Sequence, residues 1–115
     1  MEHRKFEKPL AVEELIMRIR PDLLDRWMEL DHEIWTKGLA EWPGFAGKEL
    51  WLSGNVPGEV TIIVYWTDLD LWKAIDAEWL ERMDRQVFDI LGEENIEYVE
   101  ARHCANQKYK VAEFR

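Results

Sequence analysis

Two stretches of this chain, read together, leave few folds open to it. Pro43 to Trp51 reads P-G-F-A-G-K-E-L-W, and Trp66 to Trp72 reads W-T-D-L-D-L-W. The first has the form of a helix exit, a tight glycine turn and a strand start. The second has the form of a strand end, a helix cap and an aromatic on the new helix. Between them, Ser53 to Gly58 (S-G-N-V-P-G) is a turn cluster, so the intervening chain is a hairpin. A helix, a hairpin and a second helix are the middle of a βαββαβ unit.

The flanking segments supply the rest. Residues 1–11 are charged, run through Pro9 and read as an N-terminal arm, which leaves 12–115 as one domain. Glu13 to Arg20 carries Leu15, Met17 and Ile19 at period two, with Ile16 on the other face, and reads as the first strand. Pro21 suits the first turn of the helix that follows, from about Asp22 to Glu41. The hairpin strands run from about Phe45 to Leu52 and from Glu59 to Trp66. Val60 to Tyr65 is apolar on both faces, as expected of a covered central strand. Thr67 and Asp70 have capping-box spacing, and Asp76 is a second candidate cap. The second helical region therefore reads as a short helix to about Ile75, a kink, and a longer helix from about Ala77 to Leu91, stopped by Gly92. A fourth strand is expected over about Ile96 to Cys104, and the alternation from Lys108 to Phe114 suggests a fifth, exchanged strand.

The fold class that results is α+β, a ferredoxin-like βαββαβ half-barrel with two helices on one face of an antiparallel sheet. The other face needs cover, and at this size a second copy supplies it. That implies a homodimer, a dimeric α+β barrel.

Charge and composition exclude several classes. A net charge of −9 argues against nucleic acid and against an anionic membrane surface. The single cysteine, Cys104, makes no intramolecular disulfide, which suits a cytoplasmic protein. The N-terminus has no apolar segment of signal-peptide form, and no apolar run approaches a membrane span. Metal signals are poor. His103 and Cys104 are neighbours on an expected strand and point to opposite faces, and His3 lies in the arm. There is no C-x-x-C, H-E-x-x-H or G-x-S-x-G, and no phosphate-binding glycine loop, so neither a metal nor a cofactor is expected.

The candidate chemistry gathers on the first helix. With Leu24 at zero and about 100° per residue, Trp27, Met28, Ile34, Trp35 and Leu39 form an apolar stripe. Asp31 falls at about 340°, in the middle of that stripe. A carboxylate there finds donors or shifts its pKa upward. One reading is that it accepts from an indole N–H or a backbone amide and orders the core. The other is that it is a pocket acid, base or ligand anchor. His32 falls at the stripe's edge, at about 80°, where it would form a polar rim with Asp31 and Trp35. On the longer second helix, Asp84 sits beside Met83 within the stripe of Leu80, Val87 and Leu91. All seven tryptophans fall between Trp27 and Trp79, so they build either an aromatic core or an aromatic-walled pocket.

These residues bring a family resemblance into view. D-H-E-I-W-T (Asp31 to Thr36), P-G-F-A-G-K-E-L-W, V-Y-W (Val64 to Trp66), W-K-A-I (Trp72 to Ile75) and Y-V-E-A-R (Tyr98 to Arg102) resemble an uncharacterised family of small bacterial proteins. That family is similar to the antibiotic biosynthesis monooxygenase domains of the dimeric α+β barrel superfamily. The resemblance runs from Glu13 to the C-terminus. It departs at His32, where the family pattern is often acidic. It implies a dimeric barrel that binds a small apolar, aromatic molecule between helices and sheet, and it implies cofactor-independent oxygenation if the protein is an enzyme. In that reading Trp35, Trp66 and Trp72 shape the pocket, and Asp31 orients or deprotonates the substrate. Haem-degrading relatives use a histidine on the second helix. This chain has none there, so no stable haem complex is expected. The competing reading is a non-enzymatic dimeric module, structural or regulatory, whose tryptophans are all core.

Overall fold

A computed structural model describes residues 2–3, 8–109 and 111–113, with side chains described for 8–101, 106–109 and 111. The side chains of His3, His103 and Cys104, and Phe114 as a whole, lie outside the described residues.

Strand β1 spans Leu10–Ile19. Its first residues come from the end of the stretch read as an arm, because Leu10 and Ala11 already pair with Lys108 and Gln107. Helix α1 covers residues 21–39 and changes pitch along its length. It opens as a 3₁₀ turn over Pro21–Leu23, runs as α-helix over Leu24–Leu30, widens to a π-helix over Asp31–Thr36 and closes as α-helix over Lys37–Leu39. The Lys37 N–H donates to the His32 carbonyl five residues back, the bond that defines the wide turn. Strands β2 (Phe45–Leu52) and β3 (Glu59–Trp66) form the hairpin with the expected bounds. Helix α2 is Leu69–Lys73 and helix α3 is Ala77–Leu91, the broken helix its two caps imply.

The first cap is Asp68, not Thr67. The Asp68 carboxylate accepts from the Asp70 N–H at 2.7 Å. Thr67 still belongs to the hairpin, since its own N–H donates to the Gly44 carbonyl at 2.8 Å. Asp76 caps α3 by accepting from the Glu78 N–H at 3.3 Å. Strand β4, Ile96–Lys108, runs past the end expected for it at Cys104. Of the proposed exchanged strand, Lys108 ends β4, and Ala112–Glu113 pairs with Glu2–His3 of the same chain.

The four long strands stand in the order β2-β3-β1-β4, all neighbours antiparallel. Cross-strand rows alternate between the faces. Leu50–Ile62–Leu15, Lys48–Val64–Glu13 and Phe45–Trp66–Ala11 face the helices. Trp51–Thr61–Ile16 and Glu49–Ile63–Glu14 face away. The outer face is thus apolar at its centre, where Ile63 is buried, and carries carboxylates around it, which is less uniform than the two-faced apolar sheet expected.

The core lies between helices and sheet, with Trp66 and Val60 fully out of solvent. Fully burying an apolar side chain of this kind contributes roughly 1.5–3 kcal/mol. Gly58 sets the hairpin against β1. Its φ is +81°, its carbonyl accepts from the Ile19 N–H at 2.8 Å, and a Cβ there would lie 2.0 Å from the Ile19 carbonyl oxygen. Gly38 brings α1 close to α3, where a Cβ would meet the Trp79 ring at 2.8 Å. Trp79 in turn packs edge-on against Trp35 and Trp42, at 6.0 and 5.4 Å between ring centroids.

Candidate functional site

A cavity of about 230 Å³ lies between the helices and the sheet. Its floor is the helix-facing side of the central strands, including Leu15, Ile62 and Val64. Its walls are aromatic, with Trp27 and Trp35 from α1, Trp72 from α2 and Phe88 from α3. Polar groups reach it at few points: Glu13 and Lys48 from the sheet, Asp31 from α1, Asp84 from α3 and Tyr98 from β4.

Asp31 and Lys48 meet at its wall. Lys48 Nζ donates to Asp31 Oδ2 at 2.7 Å and to Thr36 Oγ1 at 2.9 Å. Their side chains are only 6% (Lys48) and 3% (Asp31) exposed. Burial pushes the Asp31 carboxyl above the ordinary carboxylate range, with Lys48 opposing the shift. Burial also pulls the Lys48 ammonium below the ordinary lysine range, with Asp31 opposing. Desolvation is the larger effect on both partners, so each is held nearer its neutral form than it would be in water. The core-ordering reading of Asp31 gives it an indole or backbone N–H as partner. The structure supplies an ammonium instead.

Lys48 reaches the cavity through a break in strand phase. Strict alternation from Phe45, which faces the helices, would turn Lys48 outward. The register shifts between Phe45 and Gly47, where Ala46 is the extra residue, so that Gly47 opposes Tyr65 and Lys48 opposes Val64. One extra residue reverses every later side chain, and Lys48 points inward. The signal in the sequence is the glycine at 47, which marks a bulge when it stands inside a strand.

A second polar contact lines the cavity on the side of the opposite edge strand, β4. The Tyr98 hydroxyl donates to Asp84 Oδ1 at 2.5 Å. Loss of water around the contact raises the pKa of both groups, although Tyr98 as a whole is 48% exposed. The tyrosine is raised further by its carboxylate partner, while the aspartate is held back by the hydroxyl. Among the described residues Asp84 has no ion-pair partner.

The residues singled out in the sequence separate in space. Asp31, Trp35 and Trp72 line the cavity. His32 is exposed on α1 and does not. Trp66 does not line it either, which corrects its assignment as a pocket wall. Its ring is buried edge-on against Phe45 at 5.9 Å, and its Nε1–H donates to Glu13 Oε1 at 3.2 Å. That places Trp66 behind the cavity, holding a carboxylate that does line it. Glu13, Lys48, Trp27 and Tyr98 were not among the sequence candidates. Among the described residues no group of three His, Cys, Asp or Glu side chains could hold a metal ion. Among the described residues no helix is long and apolar enough to cross a membrane.

No family model and no curated protein matches the chain. Solved structures do. A candidate antibiotic biosynthesis monooxygenase from Caulobacter crescentus is similar at 14% identity with a TM-score of 0.59, over 84% of this chain and 92% of that one. One from Bordetella bronchiseptica is similar at 17% identity and 0.58, over 90% and 99%. One from Chloroflexus aurantiacus is similar at 16% identity and 0.56, over 92% and 97%. At such identities the likeness is one of fold. The chain has the ferredoxin-like α+β fold of these domains and resembles them across nearly their whole length.

Proposed function

We propose that this protein is a homodimeric barrel that binds a small apolar, aromatic molecule in the cavity beside Asp31, and that the reaction the site suits is cofactor-independent oxygenation. The observation that carries the reading is the cavity itself, with Trp27, Trp35, Trp72 and Phe88 around a desolvated Asp31–Lys48 pair. A core made only of packed indoles would leave no such space. Its volume of about 230 Å³ is that of a small ligand. Cavities of about 150 Å³ hold benzene, and drug-sized molecules need about 300 Å³ or more. One or two fused rings fit.

In this chemistry the protein supplies a dry aromatic chamber and a proton acceptor. The ionised substrate gives its electrons to O₂. One oxygen atom enters the product as a carbonyl, and the other leaves as water with one hydrogen of the oxidised carbon and the proton that the substrate lost on ionising. Asp31 is the proton acceptor in this reading. The outer face of the sheet supports the dimer, since Trp51 is 56% exposed there, in one cross-strand row with Thr61 and Ile16. A cytoplasmic setting suits the lone Cys104.

Tryptophan fluorescence, titrated with naphthalene and naphthols, tests the binding, with oxygen uptake followed in the absence of any added cofactor. Leu15→Phe, which fills the cavity, abolishes binding if the reading holds. Failure of every aromatic to bind would return the tryptophans to the role of core and favour the structural module. Binding without oxygen uptake would leave a binding protein.

A further inference from the structure

Lys48 is the one cation among the described residues that line the cavity. Its ammonium carries three protons. Asp31 Oδ2 and Thr36 Oγ1 take two of them. With the side chain 6% exposed, the third has little access to bulk water. Resting on the ligand-binding reading above, we infer that Lys48 uses this third N–H to anchor the hydroxyl oxygen of a neutral phenol or enol, while Asp31 takes the hydroxyl proton.

The charge balance selects the ligand class. Asp31 and Asp84 also line the cavity, so even without Glu13 carboxylates outnumber ammonium groups among the described lining residues. A ligand that arrives as a carboxylate adds another negative charge to a low-dielectric chamber. A neutral hydroxyl adds none. Its O–H bond breaks, an O–H bond forms on Asp31, and nothing is oxidised or reduced. Before the transfer the cavity holds one ion pair, Asp31 with Lys48. Afterwards it holds one ion pair, the ligand oxyanion with Lys48, beside a neutral Asp31. The number of buried charges is unchanged, so the step avoids the cost that separating a buried pair would carry.

The surroundings suit the exchange. Glu13 flanks Lys48 across Val64 on the same sheet face and favours the protonated amine. Thr36 holds the ammonium while its other partner changes. Asp84 is engaged by Tyr98 and stands apart from the Lys48 contacts. The raised affinity of the buried Asp31 carboxylate for a proton brings it nearer that of a phenol, as proton transfer requires.

The probes are 4-nitrophenol, nitrobenzene and 4-nitrobenzoate, titrated into the wild-type protein at a pH well below the pKa of free 4-nitrophenol. The inference expects 4-nitrophenol to bind with its phenolate absorption band, about tenfold tighter than nitrobenzene, and 4-nitrobenzoate not to bind. Because the proton stays on Asp31, the wild-type Kd is flat with pH in this range. In Asp31→Asn the proton leaves to solvent, and affinity rises about tenfold per pH unit. Lys48→Met loses the phenolate band. Nitrophenol and nitrobenzene binding equally with no band would overturn this inference and leave the binding proposal standing. Tight binding of 4-nitrobenzoate would overturn it too, and binding of none of the three would remove both. Should a variant fail to fold, the wild-type spectrum and the comparison of three ligands decide alone.

Discussion

Lys48 Nζ lies 2.7 Å from Asp31 Oδ2, and neither side chain has more than 6% of its surface in solvent. The contact joins strand β2, just after its bulge, to the first residue of the π-helical turn of α1. Two local irregularities of the backbone therefore meet in one ion pair at the cavity wall. π-Helical turns inside α-helices occur frequently at functional sites, and here the turn carries both Asp31 and Trp35.

Removing either partner leaves a charge buried without its counter-ion. Asp31→Leu and Lys48→Met are each expected to cost about 3–5 kcal/mol. Asp31→Leu with Lys48→Met removes both charges and is expected to fall within about 1 kcal/mol of the wild type, or above it. Urea unfolding of the four proteins measures the coupling. Additive losses would mean that the pair contributes nothing as a pair.

The same pair shapes the dependence of stability on pH. Asp31 has a folded pKa above its ordinary 3.8, so the native state holds the extra proton and stability falls as pH rises from 3.8 through the raised value. Lys48 has a folded pKa below its ordinary 10.5, so the unfolded state holds the extra proton between the two values and stability rises with pH there. The stability of the wild type minus that of the uncharged double variant should form a trough between these windows. Chemical unfolding at steps of pH gives this difference. A maximum near neutrality would show attraction outweighing desolvation.

Gly58 and Gly54 stand in the same turn region with opposite tolerance. At Gly58 a Cβ meets the Ile19 carbonyl oxygen at 2.0 Å with φ at +81°, while at Gly54 nothing lies within 4 Å. Gly58→Ala is expected to cost more than about 2 kcal/mol, since the left-handed backbone alone costs about 1–2 kcal/mol. Gly54→Ala should stay within about 0.5 kcal/mol. Thermal unfolding of both variants checks the contrast, and equal melting temperatures would refute it.

Trp51 reports on assembly. It is 56% exposed in the single chain, on the sheet face away from the helices. If that face covers a second copy, Trp51→Glu places charge in the interface and yields a monomer by light scattering at micromolar concentration. The isolated fold should lose no more than about 0.5 kcal/mol, because the substituted side chain is exposed within one protomer. A wild-type monomer would end the dimer proposal.

Element order, the hairpin bounds, the broken second helix and its Asp76 cap could all be read from local signals. Each rests on residues close in sequence: Pro43 and Gly44 at a helix exit, S-G-N-V-P-G at a turn, Gly92 at a helix end. The burial of Asp31 also followed from periodicity, because α1 keeps regular α-helical pitch from Leu24 up to that residue. Beyond it the π-helical turn shifts the phase, and a 100° wheel no longer describes the helix. The partner of Asp31 was not legible, because the bulge at Ala46 and Gly47 reverses the side on which Lys48 falls. Nor could periodicity divide the tryptophans. Trp66 and Trp72 are both buried and both apolar in pattern, yet one is sealed against Phe45 and the other faces the cavity. Propensity, capping and patterning act within a few residues, so the sequence by itself determined the elements and the face each buries. The cavity and its ion pair depend on packing between residues as far apart in the chain as Glu13 and Tyr98, and only the tertiary structure decided them.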